Sequence, residues 1–276
     1  MSQIFDALQR SGFHLPGVES TSEFSKDVET ADLEQVPSFQ VEALREHRLV
    51  ALAEERNVAA ERIRMLGVRL RRLQQQHAIK TLLITSSIKD EGKSLLSANL
   101  AISLAKTKQR VLLVEGDCHQ GSLAGLFGTS RLPGLTSWWR SHDSILHHMR
   151  RVKDLSLWFL SAGEPSTQAA EMLQSPRLSE MLSQTASWFD WVLVDSPPFA
   201  PLADSGIWVN LTDATLLLVR LGKTPKKLLG KVLDSIDHRK LLGVVLNDCD
   251  DPRLSYYAQY YKGISDEQAN VSDITK

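Results

Sequence analysis

Lys93 and Ser94 follow a turn at Gly92, which itself follows the apolar run Leu82 to Ile84 and a few small polar residues. This order, strand then glycine turn then Lys-Ser opening a helix, is the context of a phosphate-binding loop. Backbone N–H groups of such a loop and the helix N-terminus form an anion site. Lys93 would supply a point charge to the outer phosphates and Ser94 a hydroxyl to Mg²⁺. The Gly-x-x-x-x-Gly-Lys-Ser pattern is incomplete, because Ser87 stands where the first glycine belongs. The candidate nucleotide-binding residues are Ser87, Ile88, Lys89, Asp90, Glu91, Gly92, Lys93, Ser94 and Leu95. A bare Gly-Lys-Ser could also be a helix cap, so the rest of the chain must say what the loop does.

Two further apolar runs end in acids. Val111–Val114 leads to Glu115-Gly-Asp117, and Trp191–Val194 leads to Asp195-Ser-Pro-Pro198. A carboxylate at a strand end can hold Mg²⁺ through water or accept a proton from an incoming hydroxyl; it can also be a helix cap or a solvated turn. Lys93, Glu115, Asp117 and Asp195 are the candidate catalytic residues, with Ser94, Asp117 and Asp195 as the metal set. Leu242–Leu246 ends in Asn247, whose amide can donate and accept and so can read an adenine edge, or form a turn. All four tyrosines, Tyr256, Tyr257, Tyr260 and Tyr261, fall in one short stretch near the C-terminus. They read either as a helical patch docked on the core or as a set of phosphate acceptors.

These residues need a frame. With 276 residues, the chain has room for one ordinary domain with appendages. A formal charge of -1 with mixed signs argues against a general nucleic-acid or membrane-surface binder. Cys118 and Cys249 are the two cysteines, far apart, so a disulfide framework is not expected and a reducing cytosol fits. No run reaches the ~18 apolar residues of a membrane span, and Met1 to Phe13 lacks the features of a signal peptide. A cytoplasmic location is expected, with any membrane attachment through a partner.

Ile4, Phe5 and Leu8 could share one face of a short helix, and Ser11 to Ser38 reads as a linker. Residues 1–46 are thus expected to be a largely flexible tail and linker. From Val41 to Gln76 the pattern is helical, with Ile63, Leu66, Leu70 and Leu73 as its apolar stripe. After residue 80, apolar runs at Thr81–Thr85, Val111–Glu115, Leu155–Leu160, Trp191–Asp195, Ala214–Arg220 and Leu242–Asn247 alternate with helical segments. Those segments lie near Lys93–Lys106, Gln168–Thr185, Ala203–Leu211 and Lys226–His238. Continuous apolar strands separated by helices predict an α/β fold with a mostly parallel sheet covered on both faces. Ligands in such sheets bind at the carboxyl ends of strands, where the acids and the loop lie. The basic run His147–Lys153, His147-His148 and His119 are expected at the surface.

From about His47 to Lys262 the chain resembles the bacterial tyrosine kinases of capsular and exopolysaccharide synthesis, relatives of the ParA/MinD ATPases. Four ordered motifs carry the resemblance: Thr85-Ser-Ser-x-x-x-Glu-Gly-Lys-Ser94, Val111-Leu-Leu-Val-Glu-Gly-Asp117, Phe189-Asp-Trp-Val-Leu-Val-Asp-Ser-Pro-Pro198 and Leu242-Gly-Val-Val-Leu-Asn247. The tyrosine cluster is similar to the family's autophosphorylation tail. The resemblance implies a three-layer P-loop NTPase fold over 47–262, a disordered tail at 263–276, and ATP and Mg²⁺ as cofactors. It implies tyrosine autophosphorylation between subunits of a ring, a membrane-bound chain-length adaptor and a cognate tyrosine phosphatase. It assigns Lys93 to the phosphates, Ser94 to the metal, Asp195 to the metal through water, and Asp117 to the metal and base region.

The chain departs from that pattern in places. Asp90 replaces a glycine of the loop, and Lys89 a proline. Glu115 replaces the usual aspartate; His119 and Gly121 stand for arginine and proline. The ring-forming Glu-x-x-Arg-x-x-Arg reads Glu61-x-x-Arg64-x-x-Gly67, which leaves Glu61 and Arg64 as the oligomerisation candidates. These departures motivate a second reading, a degenerate kinase acting as an ATP-binding interaction module. A third, a ParA/MinD-like positioning ATPase, is opposed by Ile88 where that group carries a lysine, and by the tyrosine tail.

Overall fold

The protein's structure, a computed structural model, describes residues 30–41, 48–52, 58–141, 143–200 and 204–249. Eight strands form one sheet: β1 (Ser38–Phe39), β2 (Thr81–Ser86), β3 (Val111–Glu115), β4 (Arg150–Val152), β5 (Leu157–Leu160), β6 (Trp191–Asp195), β7 (Ala214–Arg220) and β8 (Leu241–Asn247). Their order is β1-β4-β5-β3-β6-β2-β7-β8, parallel throughout except for the β4–β5 pair. Helices α1 (Thr30–Glu34), α2 (Val58–His77), α3 (Lys93–Ala105), α4 (Leu123–Leu126), α5 (Leu135–Arg140), α6 (Ala169–Leu173), α7 (Pro176–Trp188), α8 (Asp204–Leu211) and α9 (Lys226–Ser235) connect and flank them.

Strands β2, β3, β5, β6 and β7 read as unbroken apolar runs because both of their faces are buried. Leu83, Leu112, Val114, Val192, Val194 and Leu217 point into one core, with α7, α8 and α9. Their alternating neighbours Leu82, Ile84, Val111, Leu113, Leu193 and Leu218 point into the other, with α2 and α3. The result is the expected three-layer α/β architecture. Register between β2 and β7 is fixed at their amino ends by Asp213, whose Oδ2 accepts the N–H groups of Lys80 and Thr81 at 2.9 and 2.8 Å.

Several expectations change. The single helix read over 168–185 is two, α6 and α7, divided at Ser175-Pro176. Pro176 sits in the first turn of α7 and the Ser175 hydroxyl caps Leu178 N–H. The basic run 147–153 is not a solvated face: it contains β4, and Val152 and His148 are buried. Both His148 ring nitrogens lie at serine hydroxyls, Nδ1 at Ser137 (3.2 Å) and Nε2 at Ser141 (3.3 Å). The linker reading fails at its end, because α1 and β1 pack on the sheet. Leu33 and Val36 enter the core, and the Trp158 indole donates to the Leu33 carbonyl at 3.0 Å. Of the helix expected over 41–76, α2 accounts for the part from Val58 onward, whereas residues 48–52 turn against α3, where Asn99 Oδ1 accepts the Ala51 N–H at 2.9 Å. The helix read around Ile4, Phe5 and Leu8, and the tail at 263–276, lie outside the described residues.

Gly67 does not project from α2. It faces α3, where a Cβ would sit 3.4 Å from Leu104 Cδ2, so the third position of the expected ring motif points inward.

Candidate active site

The loop between β2 and α3 sits at the carboxyl ends of the central strands. Gly92, at the turn into α3, has φ +98, and Asp90 has φ +64. Aspartate tolerates this left-handed backbone better than most side chains, which accounts for Asp90 where the resemblance places glycine. The Asp90 carbonyl accepts from Arg220 Nη1 at 3.2 Å.

Glu91 holds the loop from inside. Its buried carboxylate accepts the Ile88 N–H at 3.0 Å through Oε2 and the Thr224 hydroxyl through Oε1. Asn247 closes the clamp: Nδ2 donates to the Glu91 carbonyl at 2.8 Å, and Oδ1 accepts the Asp248 N–H at 2.9 Å. The Asn247 amide, expected to read a base, is engaged with the loop and with the Asp248 N–H. Ile88 and Glu91, expected to touch nucleotide, bond to each other. The Ser87 hydroxyl is buried without a hydrogen-bond partner among the described residues.

Lys93 and Ser94 open α3 beside Asp195, the last residue of β6. Burial pushes the Asp195 carboxyl up to about 7; the Lys93 ammonium and the Ser94 and Ser97 hydroxyls pull the other way, while Glu115 adds to the rise. Ser97 Oγ donates to Asp195 Oδ1 at 3.2 Å, and Oδ2 is buried with no partner among the described residues. A buried, unpaired carboxylate oxygen beside a lysine and a serine hydroxyl fits a hydrated Mg²⁺ held between phosphates and protein.

Glu115 ends β3 completely buried, yet it does not line the cavity. Oε1 accepts the Leu123 N–H at 2.6 Å and Oε2 the Ala162 N–H at 3.0 Å. Asp117 does reach the cavity, with Oδ1 accepting the N–H groups of His119 (3.1 Å) and Gln120 (2.8 Å). Between them the Cys118 thiol is pushed up to about 12 by burial and by the neighbouring carboxylates, which makes it unreactive.

The cavity these elements enclose measures about 780 Å³, a size suited to a small-molecule ligand. Lys89, Asp90, Gly92, Lys93, Ser94, Leu95 and Asp117 line it, as expected. His119, Gln120, Ser122 and Pro198 also line it. Lys89 Nζ bridges the rim to Gln120 Oε1 at 2.7 Å. His119 is exposed, as expected, and also pairs with Asp204 at the start of α8 across 3.0 Å; the signal for its place at the cavity is its position two residues after Asp117. Glu61 and Arg64 lie on α2 and pair with each other, away from the cavity lining. The four tyrosines lie outside the described residues.

No family model matches the chain. It is 28% identical over 224 residues to tyrosine-protein kinase YwqD of Bacillus subtilis, covering 80% of this chain and 93% of that one. It is 31% identical over 186 residues to the succinoglycan biosynthesis transport protein ExoP of Rhizobium meliloti, covering 66% of this chain but 24% of that longer protein. Among solved structures, the BceF tyrosine kinase domain aligns with TM-score 0.66 and 26% identity over 72% of this chain and 81% of its own. A MinD from Pyrococcus horikoshii, solved with Mg-ADP, shares the fold at TM-score 0.51 and 18% identity, over 61% of this chain and 70% of its own. With Lys93 and Ser94 beside a buried strand-end aspartate on this sheet, the chain is similar to these bacterial tyrosine-protein kinases and has a P-loop fold shared with MinD.

Proposed function

We propose that the protein is an ATP-dependent protein-tyrosine autokinase that phosphorylates its own C-terminal tyrosines and regulates capsular or exopolysaccharide synthesis and export. The observation that carries this reading is the buried Asp195 oxygen left without a partner among the described residues, beside Lys93 and Ser94, which line the cavity. Mg²⁺ would be held by Ser94 and, through water, by Asp195 and Asp117, neutralising charge that develops on the phosphates.

Transfer forms a bond between a tyrosine oxygen and the γ-phosphorus, breaks the bond to the β–γ bridging oxygen and releases ADP. Lys93 and the loop N–H groups stabilise the moving charge. Asp117 is the cavity-lining carboxylate positioned to take the hydroxyl proton. The acceptors are Tyr256, Tyr257, Tyr260 and Tyr261, presented by a neighbouring subunit with Glu61 and Arg64 at the contact. A membrane-bound chain-length adaptor would bring the cytoplasmic domain to the inner membrane face, and a tyrosine phosphatase would reset it. The tyrosine-kinase names of YwqD and BceF and the succinoglycan role of ExoP support this assignment.

Radiolabelled ATP should mark the C-terminal tyrosines of the wild type and not of Lys93→Ala. A fourfold Tyr→Phe variant that incorporates label at an undiminished level would exclude the tail as acceptor. A second reading, an ATP-binding module without transfer, is favoured by one observation: both Glu115 oxygens are spent on backbone N–H groups. Its mark would be saturable ATP binding with no phosphotyrosine.

A further inference from the structure

The departures at positions 115 and 121 are one structural unit. Glu115 Oε1 holds the N–H of Leu123, the first residue of α4, while Oε2 holds the N–H of Ala162, just beyond β5. Leu123 and Ala162 are themselves buried, so losing either bond would strand a donor away from water. The segment spanned by this anchor carries Asp117, His119 and Gln120 to the cavity.

The reach of glutamate makes both bonds possible and fills the space beside Gly121. A Cβ at Gly121 would lie 2.5 Å from Glu115 Cδ and 2.6 Å from Oε1, with the Asp117 carbonyl at 3.0 Å. No side chain fits there while Glu115 keeps its place. An aspartate at 115, shorter by one methylene, would withdraw from that space.

We infer that Glu115 is a positioning residue, not a metal or proton-transfer group, and that it works only with glycine at 121. Together they set the 116–122 segment over the cavity, and Asp117 is the acid this segment presents to a bound nucleotide. The inference rests on the phosphate-site reading of the cavity but not on transfer to tyrosine.

The test uses the full chain and Gly121→Ala, Glu115→Asp, Glu115→Gln and the double variant Glu115→Asp/Gly121→Ala. Binding of a fluorescent ATP analogue with Mg²⁺ and incorporation of label from ATP are measured for each. Gly121→Ala should weaken analogue binding about tenfold, with label incorporation falling in step, and Glu115→Asp in the same chain should recover most of the loss. Glu115→Gln keeps the size but turns one acceptor into a donor, so amide exchange at Leu123 or Ala162 should accelerate in a chain that is still folded. Additive effects in the double variant, or a neutral Gly121→Ala, would overturn the pairing. So would a Glu115→Asp that loses transfer at unchanged affinity and is not improved by alanine at 121. If Gly121→Ala does not fold, unchanged exchange at both amides in Glu115→Gln overturns the inference. If even the wild type incorporates no label, the autokinase reading falls, while analogue binding still decides the pair.

Discussion

Residues in this site divide into those that face the ligand and those that hold the loop still. Lys93, Ser94 and Asp117 face the cavity, whereas Glu91 and Asn247 are occupied with the loop itself. Gly92 belongs to both groups. Its φ of +98 is strained for any residue with a side chain, and an added Cβ would sit 2.7 Å from Asn247 Nδ2, the atom that holds the Glu91 carbonyl. Gly92→Ala must therefore leave the left-handed region or break the Asn247 bond, at about 1–3 kcal/mol. Either change depopulates the loop shape that presents its N–H groups, so affinity for ATP–Mg²⁺ should drop by about 10–100-fold. Isothermal titration checks this, and an affinity within twofold or so of wild type would show that the loop does not need the conformation.

Short elements depend more on side-chain hydrogen bonds than the central strands do. The 3₁₀ turn Ile145–His148 is tied to α5 and the following residue by His148, through Ser137 and Ser141. Burial, the largest cause, lowers the His148 pKa from the ordinary 6.5; Asp143 acts upward, and His147 and Arg177 act downward. The folded state thus takes up the proton less readily than the unfolded chain. This contribution to stability is complete above about pH 6.5 and declines as pH falls through that value toward the lower folded pKa. Melting temperature should fall between about pH 7 and 5 more steeply in wild type than in His148→Gln, which has no proton to gain there. Parallel curves would remove His148 as the cause. The neighbouring His147 is exposed, so sequence adjacency alone hid the difference in burial between the two rings.

Across the whole molecule, legibility followed from how many faces each segment buries. The five central strands β3, β6, β2, β7 and β5 announced themselves because both faces are covered, and their acidic ends then located the site. Side-chain commitments were invisible: no spacing tells that Asn247 grips Glu91, or that Glu115 fills the room beside Gly121. The outer strands β1 and β4 were hidden for another reason. Each has two or three residues, β4 lies in a basic run, and their partnership joins Ser38 to Arg151 across more than a hundred positions. That long-range contact makes residues 30–41 part of the domain and not of its linker. Deleting 1–41 removes Leu33 and Val36 from the core, strips the Trp158 indole of its acceptor and uncovers the β4 edge. Burial of two such side chains stabilises by about 3–6 kcal/mol before the entropy of ordering the segment is subtracted. The truncated chain should therefore unfold at lower urea concentration and self-associate through the exposed edge. Deletion of 1–12 alone should leave ATP affinity intact. An unchanged urea midpoint for the 1–41 deletion, with no rise in light scattering, would return these residues to the linker.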